Sequence, residues 1–598
     1  MNKSRIDILL LLLCLLFPGM AQNISDGWNK NRVVRLDKPV FVYNNWSAYD
    51  ELSDNIPLDE ALAMKELDHV VRLKKLGVQV DYYMMDAFWF DVNEGYRKWR
   101  QDCWPEGPER WLDACKREGI KPGLWFSTNL LRIGGDANTM KVIPEWEGSV
   151  SEDGTTLCLF RGGYLKHLMQ TLQMYVDMGI KMFKFDFAYF DAATADVKRT
   201  MLPAEIEEQN KAVFISAIKE FRYKNPDVLF IGYNGFGGEM ENTVAPFRKT
   251  VDLRWLEIFD TMYCGDPRLS DVPMMNFWRS QDLYSDHMTF QYLFNGLPSW
   301  RIDNCAFMIG TTGTCYNRAL NAWKGMMVLS MARGGWLNVC HGNIDLLSDD
   351  DARWMADVQR LYMKVQQYGN FSAFGSIPGK AMPYGYMASV DGGKLYTVVN
   401  ASQEKSKIIL PEAAGDGRVL FTDSGFAPVL EKDVVELGPE QMAVIGYGKF
   451  NSQEYDLGIE NDIIIPMAIQ KAAIDVHKKG EHSLTAHYTP SKGKNVRIIF
   501  RQLDGHGKAF RSWGGAPPSG TKMDRFFNIE VKQGKRSVPV KKSHDKMIWC
   551  GLSWAAGEVA AGDINEGRPL EISCTTIDGS SEHCLLEVYE TEYPAGNK

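Results

Sequence analysis

The sequence predicts a (β/α)8 barrel followed by an antiparallel β-domain and a further β-rich C-terminal module, and three observations carry that expectation. Three segments share one grammar, an amphipathic helix, a glycine and an apolar strand: Lys74-Lys75-Leu76-Gly77-Val78, Lys116-Arg117-Glu118-Gly119-Ile120 and Val176-Asp177-Met178-Gly179-Ile180. Such units continue, about eight over roughly 330 residues, which suits a barrel better than an open doubly wound sheet. After about residue 370 the segments become short, β-rich and divided by Gly, Pro and Asp.

The elements follow in chain order. Lys3 and Arg5 precede an apolar run from Ile8 to Phe17 and the small residues Gly19 and Ala21, the pattern of a secretory leader cleaved before Gln22. The run is too short to span a bilayer and no later stretch reaches about 20 apolar residues, so a secreted or periplasmic chain without a membrane span is expected. Strands are expected at Val40–Asn45, after each of the three glycines, and at Val228–Tyr233, Thr261–Cys264, Ala306–Gly310 and Trp336–Cys340, with helices such as Glu205–Tyr223 and Asn317–Ala332 between them. Each glycine takes the left-handed conformation that ends a helix. The expected division is a leader over 1–21, the barrel over 22–370, an antiparallel β-domain over 371–450 and an accessory module over 451–598.

Composition bounds the function. The 598 residues are 45% hydrophobic and 24% charged, ordinary globular values. A net charge of -9 gives no electrostatic case for nucleic acid, and no GxGxxG follows a strand to mark a dinucleotide site. The 10 cysteines beyond the leader show no zinc spacing, and most are expected to be buried thiols, Cys574 and Cys584 being near enough in sequence to bridge a hairpin. The basic stretch from His477 to Lys546 reads as a solvated face, with an anionic glycan as the sharper alternative. The 17 Trp suit a core, and also a partly polar ligand with an apolar face.

Charges inside a barrel strand carry the chemistry. In Met182-Phe183-Lys184-Phe185-Asp186-Phe187, alternation turns the three Phe toward the helices and Met182, Lys184 and Asp186 toward the barrel axis. Buried charges are paired or used; Lys184 is placed to pair with Asp186, a nucleophile or base at the end of a strand where barrel active sites lie. Val78, Val80, Tyr82, Met84 and Asp86 share a face by the same alternation, bringing Asp86 to the same rim. Trp46, Trp89 and Trp125 close strands there, and indole faces beside carboxylates suit a sugar. Glycoside cleavage needs a second carboxylate; Asp282 and Asp286, in the segment Asn276-Phe277-Trp278-Arg279-Ser280-Gln281-Asp282-Leu283-Tyr284-Ser285-Asp286, both qualify, and spacing does not choose between them.

The motifs Asn44-Asn45-Trp46-Ser47-Ala48, Lys184-Phe185-Asp186, Trp278-Arg279-Ser280-Gln281-Asp282 and Gln291-Tyr292 with Pro298 resemble the α-galactosidase clan, glycoside hydrolase families 27 and 36, over roughly residues 40–448. The resemblance implies a retaining double displacement with Asp186 as nucleophile, Asp282 as acid and base, and Lys184 and Arg279 binding sugar hydroxyls, with no metal and no cofactor. Two departures accompany it. Asp86-Ala87-Phe88-Trp89 stands where the clan has Asp-Asp-x-Trp, and Gly232-Tyr233-Asn234-Gly235-Phe236 lacks the cysteine and arginine of family 36. The expected activity is a secreted retaining exo-α-galactosidase. A β-L-arabinopyranosidase, α-N-acetylgalactosaminidase or α-glucosidase is the alternative opened by the lost acceptor, and a non-catalytic glycan-binding protein the alternative from another class. The sequence leaves the oligomeric state open. Trp513, Trp549 and Trp554 of the last module form either its core or a glycan platform, with core favoured.

Overall fold

The computed structural model describes residues 36–46, 48, 58–87, 89–133, 139–236, 252–263, 268–310 (without the side chains of 304–306), 318, 320–510, 527–543, 553–577 and 581–595. The leader, Phe88, Trp513 and Trp549 lie outside the described residues. Among those described, no helix is long and apolar enough to cross a membrane.

Eight parallel strands close a barrel in sequential order: β1 (Val40–Asn44), β2 (Tyr82–Met85), β3 (Lys121–Ser127), β4 (Met182–Asp186), β5 (Leu229–Gly232), β6 (Thr261–Tyr263), β7 (Ile302–Ile309) and β8 (Leu337–Gly342), with β8 pairing back onto β1. The helices used below are α1 (Glu60–Lys75), α2 (Glu109–Arg117), α3 (Tyr164–Asp177), α4 (Pro203–Lys224), α5 (Phe277–Phe294), α6 (Trp323–Ala332) and α7 (Asp349–Tyr368). At the three expected junctions α1, α2 and α3 end in the same way. The residues after the glycines donate back five positions, Val78 to Leu73, Ile120 to Cys115 and Ile180 to Tyr175, while Gly77, Gly119 and Gly179 themselves stand at φ of 101°, 64° and 109°. These double closures consume the last carbonyls of each helix and need a residue without a Cβ penalty.

Alternation sorts the β4 side chains as the sequence implies. Met182 joins Tyr82, Met84, Leu229, Ile231 and Met308 in the barrel interior, whereas Phe183 and Phe185 join the helix-facing core. Phe185 stacks on Phe230 of the next strand at 5.9 Å between centroids. Val78 and Val80, expected to share the inward face, precede β2 and pack in the helix-facing core instead, because the strand begins only at Tyr82.

The second domain is a six-stranded sheet, Asn370–Gly375, Tyr384–Val390, Gly393–Val399, Met442–Gly448, Gly417–Gly425 and Gly458–Ile465 in spatial order, with a three-stranded sheet beside it. The strand Gly458–Ile465, expected in the accessory module, runs parallel to Gly417–Gly425 and completes this sheet. The last module is a sandwich of two five-stranded sheets with a core of its own. That core includes Trp554, fully buried, and also takes Leu269 and Phe277 from the barrel. Cys574 and Cys584 are free and buried, on strands of the two different sheets, so the expected hairpin geometry for a bridge is absent.

Candidate active site

Asp186 ends β4 and is almost fully buried. Its Oδ1 accepts three N–H groups: Phe187 N (2.9 Å), Asn234 N (3.1 Å) and Asn234 Nδ2 (2.9 Å). Its Oδ2 takes Trp125 Nε1 at 3.2 Å. Phe187 stands at φ 46°, a left-handed conformation uncommon outside glycine, where the chain turns out of β4. Asn234 follows β5 in a turn whose Gly235, at φ 98°, lies so close to Ala188 that a Cβ would come within 2.2 Å of its carbonyl oxygen. Burial pushes the Asp186 carboxyl above the ordinary carboxylate range, opposed by the Lys184 cation and by these donors.

Lys184 does not pair with Asp186. Its Nζ bonds Asp86 Oδ2 at 2.7 Å, with both side chains nearly inaccessible. Inward side chains of alternate strands share a layer in a barrel, so a residue at the end of β2 meets one on β4, whereas two inward residues of one strand stand a full pleat repeat apart. Asp86 is further held by its own N–H to Asn45 Oδ1 (2.8 Å) and by Ala87 N to its Oδ1 (2.9 Å). The Lys184 ammonium lies 4.0 Å from the centroid of Tyr233 and 5.9 Å from that of Trp46. Trp46, partly exposed, meets His341 of β8 edge-on at 5.9 Å. Burial and the Lys184 charge hold the His341 imidazole well below its ordinary pKa, hence neutral.

The structure therefore brings together Trp46, Asp86, Lys184, Asp186 and Trp125, and adds Tyr233, Asn234 and His341. Trp89 and Trp125, expected as open sugar-stacking faces, are each 1% exposed. Trp89 lies among Phe90, Tyr96, Trp99, Phe126 and Tyr175 and donates to the Trp125 carbonyl at 3.0 Å. Trp125 acts at the site through its N–H rather than its face. Aromatic crowding decides this: the hairpin Phe90–Asp91 with Gly95–Trp99 covers both indoles, and Phe90 stacks on Trp125 at 6.2 Å.

Arg279 and Asp282 lie elsewhere, on α5. Arg279, fully buried, forks onto Asp423 of the β-domain at 2.9 and 3.0 Å and reaches Asp282 Oδ2 at 3.1 Å. Asp282 Oδ1 accepts from Arg318 at 2.6 Å. Among the described residues neither Arg279 nor Asp282 contacts the cluster around Asp186. Asp286, one turn on, bonds Arg333, Tyr384 and Tyr386 at 2.8, 2.5 and 3.0 Å. All three residues thus belong to a polar layer joining the barrel to the β-domain. The Trp-Arg-x-x-Asp spacing expected to serve a sugar instead places these charges on the inner side of an outer helix.

Asn234, Tyr233 and His341 were not singled out from sequence as site residues. The Gly-Tyr-Asn-Gly run after β5 was the available signal, since an amide before a left-handed glycine at a strand end marks a turn at the barrel mouth.

No protein-family profile matches the chain. No curated protein matches it either. Several solved structures are similar to it at low identity. The galactosidase domain of an α-galactosidase–sucrose kinase is 16% identical with a TM-score of 0.45, covering 69% of this chain and 55% of that one. A family GH36 α-galactosidase from Geobacillus stearothermophilus, solved with raffinose, is 14% identical with a TM-score of 0.44, over 69% and 56%. A family GH27 β-L-arabinopyranosidase from the same organism is 14% identical with a TM-score of 0.44, over 69% and 97%. The chain spans about half the length of the α-galactosidases it matches.

Proposed function

We propose that the chain is a secreted retaining glycoside hydrolase acting on terminal α-galactoside-like sugars, with Asp186 as nucleophile. The observation that carries this reading is the asymmetric grip on Asp186. Three N–H groups fix Oδ1, while Oδ2 has a single long bond from Trp125. Oδ2 is the oxygen that attacks the anomeric carbon, and Oδ1 becomes the ester carbonyl oxygen of the glycosyl intermediate, already surrounded by donors. A second carboxylic acid gives its proton to the glycosidic oxygen as that bond breaks; its conjugate base then takes a proton from the water that attacks the anomeric carbon, and the ester bond breaks to return Asp186 as the free carboxylate. The buried Asp86–Lys184 pair fixes the charge balance beside Asp186, with the Lys184 ammonium 5.9 Å from the centroid of the partly exposed Trp46 ring.

Asp282 was the expected proton donor. Both its oxygens are taken by arginines and it is 3% exposed, so it offers no free oxygen to a leaving group. Asp266, three positions beyond the end of β6 in sequence and outside the described residues, is the carboxylate we assign to test beside it, because active-site groups on this fold follow strand ends. Replacing Asp186 by Ala is expected to lower turnover of an aryl α-galactoside by at least about a thousandfold. Azide rescue with formation of the opposite-anomer glycosyl azide would identify Asp186 as nucleophile; unchanged turnover in Asp186→Ala would refute the assignment. Asp266→Ala losing turnover while Asp282→Asn loses stability would assign the acid.

A specific observation bears on the sugar. Ala87 is buried where the clan carries a second carboxylate, leaving Asp86 as the acceptor there. A pentopyranoside without an exocyclic hydroxymethyl group suits that reduced acceptor set. Comparing aryl α-galactoside, β-L-arabinopyranoside, α-N-acetylgalactosaminide and α-glucoside by kcat/KM decides between the readings.

A further inference from the structure

Lys184 stands between two buried carboxylates. Asp86 faces it across the barrel, and Asp186 lies one pleat repeat along its own strand, about 6.6 Å, a span that a four-carbon stem covers. The side chain goes to Asp86, at 2.7 Å. Its ammonium rests on the ring of Tyr233, 4.0 Å from the centroid. That ring is backed in turn by Tyr263 at the end of β6, stacked on it at 4.2 Å and 15°, and both tyrosines are almost fully buried in the barrel interior. The Tyr263 carbonyl accepts from the Tyr292 hydroxyl of α5 at 2.6 Å, which anchors the stack from behind. Tyr233 N donates to the carbonyl of Phe185, the residue between Lys184 and Asp186, at 2.8 Å, and the next residue, Asn234, holds Asp186 Oδ1. One turn after β5 therefore touches both charged groups of β4.

We infer that Tyr233 is a positioning residue that decides which carboxylate Lys184 answers: its ring seats the ammonium against Asp86 and keeps it off Asp186 Oδ2. The inference rests on the glycosidase reading above. A cation over an aromatic face is attracted by the negative face of the ring, and more strongly where water is excluded. The arrangement achieves what a direct Lys184–Asp186 bond does not. The positive charge still acts on Asp186 through space and favours its ionised form. Oδ2, the oxygen assigned to attack, keeps the Trp125 N–H as its donor and is spared a charge-assisted bond that would have to break first.

The test uses the full chain with Tyr233→Phe, which keeps the ring, and Tyr233→Leu, which removes it. Tyr233→Phe should behave as the wild type. In Tyr233→Leu, kcat should fall at least about tenfold and the acid limb of kcat/KM should move to lower pH, because Lys184 then meets Asp186 directly and an adjacent cation favours the carboxylate. The other groups around the pair do not titrate there: His341 is held neutral, Tyr233 and Tyr263 are phenols, and burial pushes the Tyr96 and Tyr189 phenols near Asp186 above their ordinary range. Asp86, Lys184 and Asp186 are left as the charges that set the limb. A crystal structure of Tyr233→Leu reads the same point without turnover, with Lys184 Nζ expected about 3 Å from Asp186 Oδ2. Pentafluorophenylalanine introduced at position 233 keeps a ring in place but reverses the charge of its face; it should shift the limb in the same direction and serves where Tyr233→Leu fails to fold. A limb that stays or moves to higher pH, an ammonium still on Asp86 in the variant structure, or equal losses in Tyr233→Phe and Tyr233→Leu overturns the inference. Absence of turnover by the wild type on every glycoside refutes the glycosidase reading instead, and the variant structure still judges the seat.

Discussion

Lys184 and Asp86 form an ion pair almost without solvent contact, 2.7 Å apart. Such a pair is costly to assemble, and removing one partner leaves the other buried and uncompensated, at about 3–5 kcal/mol. Lys184→Met and Asp86→Asn should each destabilise by amounts of that order, and the double variant by clearly less than their sum, measured by urea denaturation in a double-mutant cycle. Additive losses would mean the two do not act as a unit. Asp186 shows the other face of burial. Its carboxyl sits above the ordinary carboxylate range because desolvation favours the neutral form. As the proposed nucleophile Asp186 must be ionised, so kcat/KM should rise with pH through an acid limb displaced above the ordinary Asp value of about 4, at which an unperturbed Asp is half ionised. A pH–rate profile flat from pH 4 upward would contradict this. The motif Lys184-Phe185-Asp186 was legible because period-two alternation fixes which side chains face the axis. The partner of Lys184 was not, since it comes from a strand about 100 residues earlier and only barrel closure brings it near.

At the scale of elements, the glycines at the ends of α1, α2 and α3 set the junctions that aim the strands. A Cβ at Gly179 would meet nothing within 4 Å, so Gly179→Ala isolates the backbone cost of φ 109°. The expected loss is about 1–2 kcal/mol, read as a shift in denaturation midpoint with an unaltered slope. No loss would mean that the helix ends by another route. These junctions were readable because helix termination is local chemistry. The register of α5 was not. Its residues are buried on nearly every side, with Arg279, Asp282 and Asp286 facing the β-domain and Phe277 facing the sandwich. A helix enclosed by three domains loses the amphipathic signal that would have told which face served which partner.

At the scale of the molecule, the barrel and sandwich share a core. Removing residues 467–598 would expose Leu269 and Phe277, at about 1.5–3 kcal/mol each. A chain ending at residue 466 should therefore melt lower than the full chain by calorimetry, with the barrel's own transition shifted. A barrel transition at the original temperature would show that the domains are independent.

The sequence by itself determined the alternation of helices and strands, the change of grammar near residue 370, and the inward placement of Lys184 and Asp186, because each follows from short-range periodicity and turn chemistry. Tertiary structure alone decided that Lys184 answers Asp86 and that Asn234 and Trp125 grip Asp186. It also decided that Trp89 is core and that Arg279 and Asp282 join two domains. Those outcomes depend on which surfaces meet across long stretches of chain, and local patterns that make a residue buried or charged do not say what it is buried against.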